Sequence, residues 1–250
     1  MSITLITGAT SGIGLALASK LAKQGSELIL TGRRGERLDK IKTELSQNAK
    51  IHTFTFDVSS RKAVEKFLEA SKELLPRVSV LVNNAGLALG ADKLQEANID
   101  DWETMIDTNV KGLLYMTRGI VPYMVKANNG HVVNIGSVAG RWVYGGGSVY
   151  SATKFAVRAI SEALRVDLLG TNIRVSNIEP GMLETEFSLV RFRDPARAKK
   201  VYEGVTPLQP EDIADTIQWV LSRPPHVNIQ EIVIFPTAQA AIANIHRRTS

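Results

Sequence analysis

The sequence contains no cysteine, which excludes disulfide bonds and thiolate metal ligands but leaves the redox compartment open. It has no apolar run long enough to span a bilayer, and it opens directly into a predicted strand without the features of a signal peptide. These absences predict a cytoplasmic protein that does not bind membranes. Nothing rich in Pro, Gly or Ser divides the chain, and no repeat is present, so we expect a single domain over residues 1–250.

Positive charge is in slight excess and is dispersed. The formal net charge is +5, and the basic clusters are short, at Arg33-Arg34, Lys199-Lys200 and Arg247-Arg248. A nucleic-acid site would need a basic stripe interleaved with aromatic residues, so we predict no nucleic-acid partner. The four histidines, at positions 52, 131, 226 and 246, have no metal-ligand spacing, and we predict no metal site.

Apolar, β-rich segments alternate with helical patterns along the whole chain. Such alternation predicts right-handed crossovers and a parallel sheet covered on both faces. The expected fold is therefore a Rossmann-type, doubly wound α/β domain with about seven strands. The predicted strands lie near 3–7, 27–31, 51–56, 78–82, 131–136, 172–178 and 230–235, and the predicted helices near 12–24, 35–47, 60–74, 100–126, 148–169 and 210–222.

A glycine-rich turn connects the first predicted strand to the first predicted helix. Its spacing is Gly-x-x-x-Gly-x-Gly, over Gly8, Gly12 and Gly14. Glycines accept positive φ and let a phosphate approach the backbone, and the helix start offers free N–H groups to an anion. The turn thus predicts a dinucleotide site that includes Gly8, Thr10, Ser11, Gly12, Ile13 and Gly14.

The second predicted strand ends in Thr31-Gly32-Arg33-Arg34. An acidic residue at this place would hydrogen-bond the adenosine ribose and favour NAD, whereas arginine pairs with the extra phosphate of NADP. No Asp or Glu is present at this strand end, so Arg33 and Arg34 predict NADP. The alternative is that both arginines only cover the exposed helix start at Gly35-Glu36.

A hydroxyl, a phenol and an ammonium group follow the fifth predicted strand, at Ser137, Tyr150 and Lys154. Tyr150 and Lys154 are four residues apart and share one helix face. An unperturbed tyrosine has a pKa of about 10, and a nearby cation lowers it, so we expect Lys154 to lower the pKa of Tyr150. Alone, the pair could equally be an exposed helical contact.

Together with Asn83-Asn84-Ala85-Gly86 and Asn109, these motifs resemble the short-chain dehydrogenase/reductase family, in family order from Ile3 to Phe235. The resemblance implies a catalytic tetrad of Asn109, Ser137, Tyr150 and Lys154 and hydride transfer between nicotinamide and a carbinol or carbonyl carbon. Tyr150 would exchange the proton, Ser137 would hydrogen-bond the substrate oxygen, Lys154 would bind the nicotinamide ribose, and Asn109 would hold a relay water. It also implies cofactor contacts from Asp57, Val58, Asn84, Ala85, Gly86, Pro180, Gly181, Leu183 and Thr185; for Asp57 a helix cap is the alternative.

Four stretches, at 83–90, 101–109, 186–192 and 234–240, are similar to the NADP-dependent 3-hydroxy acid dehydrogenases, also called serine or L-allo-threonine dehydrogenases. The resemblance implies a small hydroxy or oxo acid as substrate. The irregular segment 182–207 is a candidate lid, in which Arg191 and Arg193 are candidates to clamp the carboxylate. Solvent-exposed charge is the competing interpretation for both arginines.

Three other functions remain open from the sequence. One is a broad NADPH-dependent reductase of ketones, diketones or pterins, and a second is a 3-oxoacyl-carrier reductase, which the C-terminal region does not resemble. The third is a dinucleotide-sensing scaffold without catalysis, which would often lack the Tyr or Lys. The family resemblance also implies a homotetramer built through helices 100–126 and 148–169, although their apolar residues fit a core equally well.

Overall fold

The computed structural model of the protein describes residues 2–248. Seven parallel strands form one sheet, and each predicted strand is confirmed. Segments such as Leu28–Leu30 and Val132-Val133 are fully buried, because helices cover both faces of a parallel sheet. The strands are β1 (Ile3–Ile6), β2 (Glu27–Gly32), β3 (Ile51–Thr55), β4 (Val78–Asn83), β5 (Gly130–Ile135), β6 (Ile173–Pro180) and β7 (Glu231–Ile234).

The helices follow the predicted alternation, with two additions in the candidate lid. Their bounds are α1 (Gly12–Ala22), α2 (Gly35–Leu45), α3 (Arg61–Ala70), α4 (Ile99–Ile106), α5 (Leu113–Ala127), α6 (Ser148–Asp167), α7 (Glu186–Phe192), α8 (Pro195–Lys200) and α9 (Pro210–Leu221). Helices α7 and α8 lie in segment 182–207, where no helix was predicted. They are short and each begins at a side-chain cap, Thr185 or Asp194, rather than at a long apolar periodicity.

The strand order is β3-β2-β1-β4-β5-β6-β7, so the chain reverses direction across the sheet between β1 and β4. Ligands of doubly wound sheets bind outside the carboxyl ends of the strands at such a switch point. One apolar layer packs α1, α2 and α9 on the sheet, and the second packs α3, α5 and α6 on the opposite face. The doubly wound α/β fold is thereby confirmed.

A π-helical segment, Asp107–Gly112, separates α4 from α5 inside what the sequence predicts as one helix. The wider turn contains Asn109, whose side chain reaches the loop after β4 and hydrogen-bonds both backbone groups of Leu87. Segments of this kind are frequent at functional sites. Within residues 2–248, no helix combines the length and the apolar character needed to cross a membrane.

Candidate active site

A cavity of about 640 Å³ opens at the carboxyl ends of the strands, beside the switch point. Most of the residues singled out from the sequence line it, whereas Gly14, Asn109 and Arg193 do not. Those brought together are Gly8, Thr10, Ser11, Gly12, Ile13, Arg33, Arg34, Asp57, Val58, Asn84, Ala85, Gly86, Ser137, Tyr150, Lys154, Pro180, Gly181, Leu183, Thr185 and Arg191.

The glycines of the first turn are required by close backbone approach. Gly8 has φ +66°, and a Cβ there would lie 2.9 Å from the Ala85 Cα. A Cβ on Gly14 would lie 2.7 Å from the Gly8 carbonyl oxygen. Gly14 therefore lies behind the cavity wall and permits the tight turn that exposes the other two glycines.

Helix α1 begins at Ser11, whose side chain does not cap the helix. Its hydroxyl instead accepts a hydrogen bond of 2.7 Å from Arg34 Nη2. The first amides of α1 therefore keep their donors for an anion, which the positive end of the helix dipole also attracts. This arrangement fits a pyrophosphate.

Arg34 and Arg33 lie beside this turn. Arg34 Nε and Nη2 donate to Thr10 Oγ1 at 3.0 and 2.7 Å, and Arg33 Nη1 lies 3.6 Å from Asp57 Oδ2. A Cβ on Gly32 would lie only 2.8 Å from Thr10 Cγ2, so an acidic side chain does not fit at this strand end without displacing Thr10. Two cations and no acid at the end of β2 fit the extra phosphate of NADP.

Asp57 and Asn84 hold the backbone of the cavity rather than cap helices. Asp57 Oδ1 accepts from the amide and the hydroxyl of Ser59, at 2.9 and 2.8 Å, while Ser60 caps α3. Asn84 Nδ2 donates to the carbonyls of Thr7 and Gly8, at 2.9 and 3.0 Å. Asn84 thus ties the end of β4 to the glycine turn.

Ser137 and Tyr150 meet because two backbone segments approach closely. Ser137 caps a short 3₁₀ turn, Val138–Gly140, and a Cβ on Gly140 would lie 2.7 Å from the Lys154 carbonyl oxygen. The hydroxyl of Ser137 is hydrogen-bonded to Tyr150, whose ring packs edge-on to Phe187 with centroids 5.6 Å apart. The phenol oxygen and the serine hydroxyl therefore share one site.

The expected effect of Lys154 on Tyr150 is wrong for this structure. Burial raises the pKa of Tyr150 above its ordinary value, and the groups that oppose this effect are Ser137 and Arg191. Lys154 Nζ lies 5.9 Å from the tyrosine ring centroid and donates to the Ile135 carbonyl at 2.8 Å. Burial lowers the pKa of Lys154 to about 8, so the lysine carries less charge than an exposed one near that pH.

Asn109 lies behind Lys154 and outside the cavity. Its Oδ1 accepts from the Leu87 amide at 2.9 Å, and its Nδ2 donates to the Leu87 carbonyl and to Thr153 Oγ1 at 2.8 and 3.0 Å. A Cβ on Gly86 would lie 3.2 Å from Asn109 Oδ1 and 3.6 Å from Lys154 Nζ. The side chain thus fixes the loop that separates it from the lysine.

Arg191 and Arg193 have different surroundings. Arg191 lines the cavity and donates to the carbonyls of Gly90 and Gly146 and to the Tyr144 hydroxyl, at 2.9, 3.2 and 2.8 Å. These contacts use three of its five N–H groups, so two remain for an anion. Arg193 lies outside the cavity, where its guanidinium pairs with Asp101 at 2.7 Å. A two-arginine clamp is therefore not formed here.

Several cavity residues were missed from the sequence. Tyr144 precedes three glycines in a loop without periodicity, and Phe187 faces Tyr150 from the candidate lid. Gln239 and Ile242 follow the last strand, and Gln239 Oε1 accepts from the Met182 amide at 2.7 Å. The only signal was the resemblance of stretch 234–240, which assigns no contact. In the described part of the chain, no group of three His, Cys, Asp or Glu residues is arranged to hold a metal.

Comparison with known proteins gives consistent relatives. Residues 2–195 match the family described as short chain dehydrogenase. The chain is 48% identical over 249 residues to the NADP-dependent 3-hydroxy acid dehydrogenase YdfG of Escherichia coli strain K12, covering 98% of this chain and 100% of the relative. It is also 48% identical over 240 residues to sulfoacetaldehyde reductase 2 of Chromohalobacter salexigens, covering 95% of each. A solved structure, the closed form of serine dehydrogenase complexed with NADP+, superposes with a TM-score of 0.92 at 48% identity, over 98% of this chain and all of that one.

Proposed function

This chain belongs to the short-chain dehydrogenase family, and from that premise we propose that it is an NADP-dependent oxidoreductase that interconverts 3-hydroxy acids and 3-oxo acids. The observation that carries the proposal is the single cavity that joins the Ser137–Tyr150 pair, Arg34 and Arg191. It therefore combines a proton donor, a phosphate-binding cation and a carboxylate-binding cation.

NADP(H), when bound, supplies or accepts the hydride. Tyr150 gives the proton to the substrate oxygen in reduction and takes it in oxidation. Ser137 donates a hydrogen bond to the same oxygen and stabilises its developing charge. Because burial raises the pKa of Tyr150, the phenol is protonated at neutral pH and ready to act as the acid.

Lys154 acts behind the tyrosine. Its ammonium uses one donor on the Ile135 carbonyl, which leaves two for the nicotinamide ribose. Asn109 keeps the Leu87 loop in place and belongs to the relay that returns protons to Lys154.

The cofactor is NADP rather than NAD. Arg33 and Arg34 hold the 2′-phosphate, and Gly32 admits no acidic side chain that would repel it. The glycine turn and the first amides of α1 hold the pyrophosphate, and Asn84, Pro180 and Thr185 line the cleft on either side.

Arg191 selects the substrate by binding its carboxylate through the two N–H groups that the protein leaves available. Two relatives are named for anionic compounds, a 3-hydroxy acid and sulfoacetaldehyde, which supports an anion-binding group in the cavity. The lid segment, residues 182–207, carries Arg191 and closes this side of the cavity.

We further propose a cytoplasmic enzyme that assembles as a homotetramer. Support comes from the family resemblance and from exposed apolar side chains on α5 and α6, including Val125 and Val166. Light scattering on the eluted protein at micromolar concentration would test the assembly, and a monomer would contradict it.

Initial rates test the activity directly. NADP reduction is measured with L-serine, L-allo-threonine and 3-hydroxybutyrate, beside the same acids with NAD. We expect turnover with NADP and the acids. Inactivity with all three, combined with NADPH-dependent reduction of uncharged ketones or diketones, would instead identify a carbonyl reductase and remove the role of Arg191.

A further inference from the structure

The lid segment is fastened to the rest of the molecule at both ends of α7. At the end of the helix, Arg191 contacts the loops at Gly90 and Tyr144. At the start of the helix, Glu186 extends toward α2, which follows the strand end that carries Arg33 and Arg34. The first fastening lies over the proposed substrate site, and the second lies at the proposed cofactor site.

Glu186 divides its carboxylate between two arginines. Its Oε2 accepts from Arg34 Nη1 at 2.6 Å, and its Oε1 accepts from Arg37 Nη1 at 2.8 Å. The hydrogen bond from Arg34, followed by that from Arg37, lowers the pKa of Glu186 to about 2 against partial burial. The carboxylate is therefore ionised at neutral pH, and both contacts are charge-assisted.

The two arginines are not equivalent. Arg34 lines the cavity and already donates to Thr10 and Ser11 of the glycine turn. Arg37 does not line the cavity, and across residues 2–248 its ion-pair partner is Glu186. Arg37 thus retains the lid carboxylate when Arg34 turns to another anion.

We propose that Glu186 is a positioning residue that latches the lid segment to Arg34 and Arg37, and that it competes with the 2′-phosphate of NADP(H) for Arg34. The inference rests on the proposed function, because it takes Arg34 as a ligand of that phosphate. Glu186 then holds the lid over the substrate at some cost in cofactor affinity. Removing its charge has opposite effects on the two ligands.

Amide hydrogen exchange of residues 186–200, in protein without added nucleotide, tests the latch. In Glu186→Gln we expect exchange about three- to fivefold faster than in wild type, the range of a partly exposed ion pair. Arg37→Ala should show a smaller increase and changes no residue of the cavity wall. The matched control is Glu184→Gln, which removes the same charge from the same segment, where the exposed carboxylate of Glu184 has no ion pair among the described residues.

Binding of adenosine 2′,5′-bisphosphate, measured by calorimetry, tests the competition. Glu186→Gln should bind it about three- to fivefold more tightly than Glu184→Gln, because one anion no longer shares Arg34. Adenosine 5′-monophosphate, which lacks the 2′-phosphate, should bind both variants equally. With a substrate established, Glu186→Gln should raise the KM for the acid and leave kcat within twofold of wild type.

Lid exchange in Glu186→Gln that matches Glu184→Gln would overturn the latch. Bisphosphate binding that is not tightened would overturn the competition at Arg34. Failure of the proposed function has a different signature, since wild-type protein would then not bind the bisphosphate or oxidise the acids, while the exchange of the lid would still report on Glu186.

Discussion

The two walls of the cavity are built in different ways. The cofactor wall, formed by Gly8–Gly14, Arg33-Arg34 and Asn84–Gly86, consists of backbone at strand ends that is fixed by close contacts, such as that of Gly8 with Ala85. The lid wall, formed by residues 182–207, is held by side-chain contacts of Glu186 and Arg191. One wall is inseparable from the folded sheet, whereas the other can detach without unfolding it.

This difference separates two kinds of consequence. A change in the cofactor wall should alter folding or chemistry, because the backbone there has no alternative packing. A change in the lid wall should alter the affinity for substrate, because only exposed or half-buried ion pairs are lost.

The largest expected effect is on chemistry. Tyr150→Phe should lower kcat/KM about a thousandfold, the scale of lost proton transfer, while its ring still packs on Phe187. The melting temperature and the affinity for adenosine 2′,5′-bisphosphate should not change. Full turnover in this variant, measured by NADP reduction, would refute the role of Tyr150.

The next largest effect is on folding of the cofactor wall. Gly14→Ala should lower the free energy of unfolding by about 3 kcal/mol, since its Cβ would lie 2.6 Å from Asn84 Nδ2 and 2.7 Å from the Gly8 carbonyl. Urea unfolding provides the measurement. Gly145→Ala is the control, because a Cβ there has nothing within 4 Å, and it should change stability by less than about 0.5 kcal/mol. Equal losses in both would remove the distinction between the walls.

On the lid wall, Arg191→Ala should raise the KM for L-serine about 30-fold, because a charge-assisted carboxylate contact is lost. Stability should change little. Arg193→Ala is the matched control, since this guanidinium pairs with Asp101 outside the cavity. An unchanged KM in Arg191→Ala, determined from initial rates, would show that this arginine does not bind the carboxylate.

The smallest expected effect is a pH dependence of stability that arises in the cofactor wall. Lys154 has a pKa of about 8 when folded against 10.5 as the model value, so between these pH values the unfolded chain binds more protons and stability rises with pH. The gain from pH 8 to 10 should be about 1 to 2 kcal/mol. Above about pH 10 the raised pKa of Tyr150 acts with the opposite sign, because only the unfolded chain loses that proton. Urea unfolding of wild type and Lys154→Met should differ in this slope, and parallel curves would contradict the assignment.

The predictability of the molecule follows the same division. All seven strands could be predicted because buried parallel strands such as β5 are apolar along their length, and the glycine turn has a spacing that few other structures require. Both signals are local, and the parallel sheet then brings the strand ends together without further information.

What could not be predicted depends on distant partners. The segment at Asp107–Gly112 reads as ordinary helix, and its π-helical form goes with the hydrogen bonds of Asn109 to Leu87. Arg191 and Arg193 are indistinguishable as sequence, yet one meets Tyr144 and the other Asp101. The direction of the pKa of Tyr150 depends on burial and on where Lys154 points, and neither follows from their spacing.

The contribution of Gln239 and Ile242 to the cavity has a consequence for how the protein is made. Gly8 and Ile242 line the same space, and Gln239 holds the Met182 amide at the start of the lid segment. A ribosome adds residues from the first to the last, so the glycine turn emerges early and waits for more than two hundred residues before its opposite wall exists. The nascent chain can therefore complete much of its sheet while it still lacks a closed site, and it acquires the site only near the end of translation.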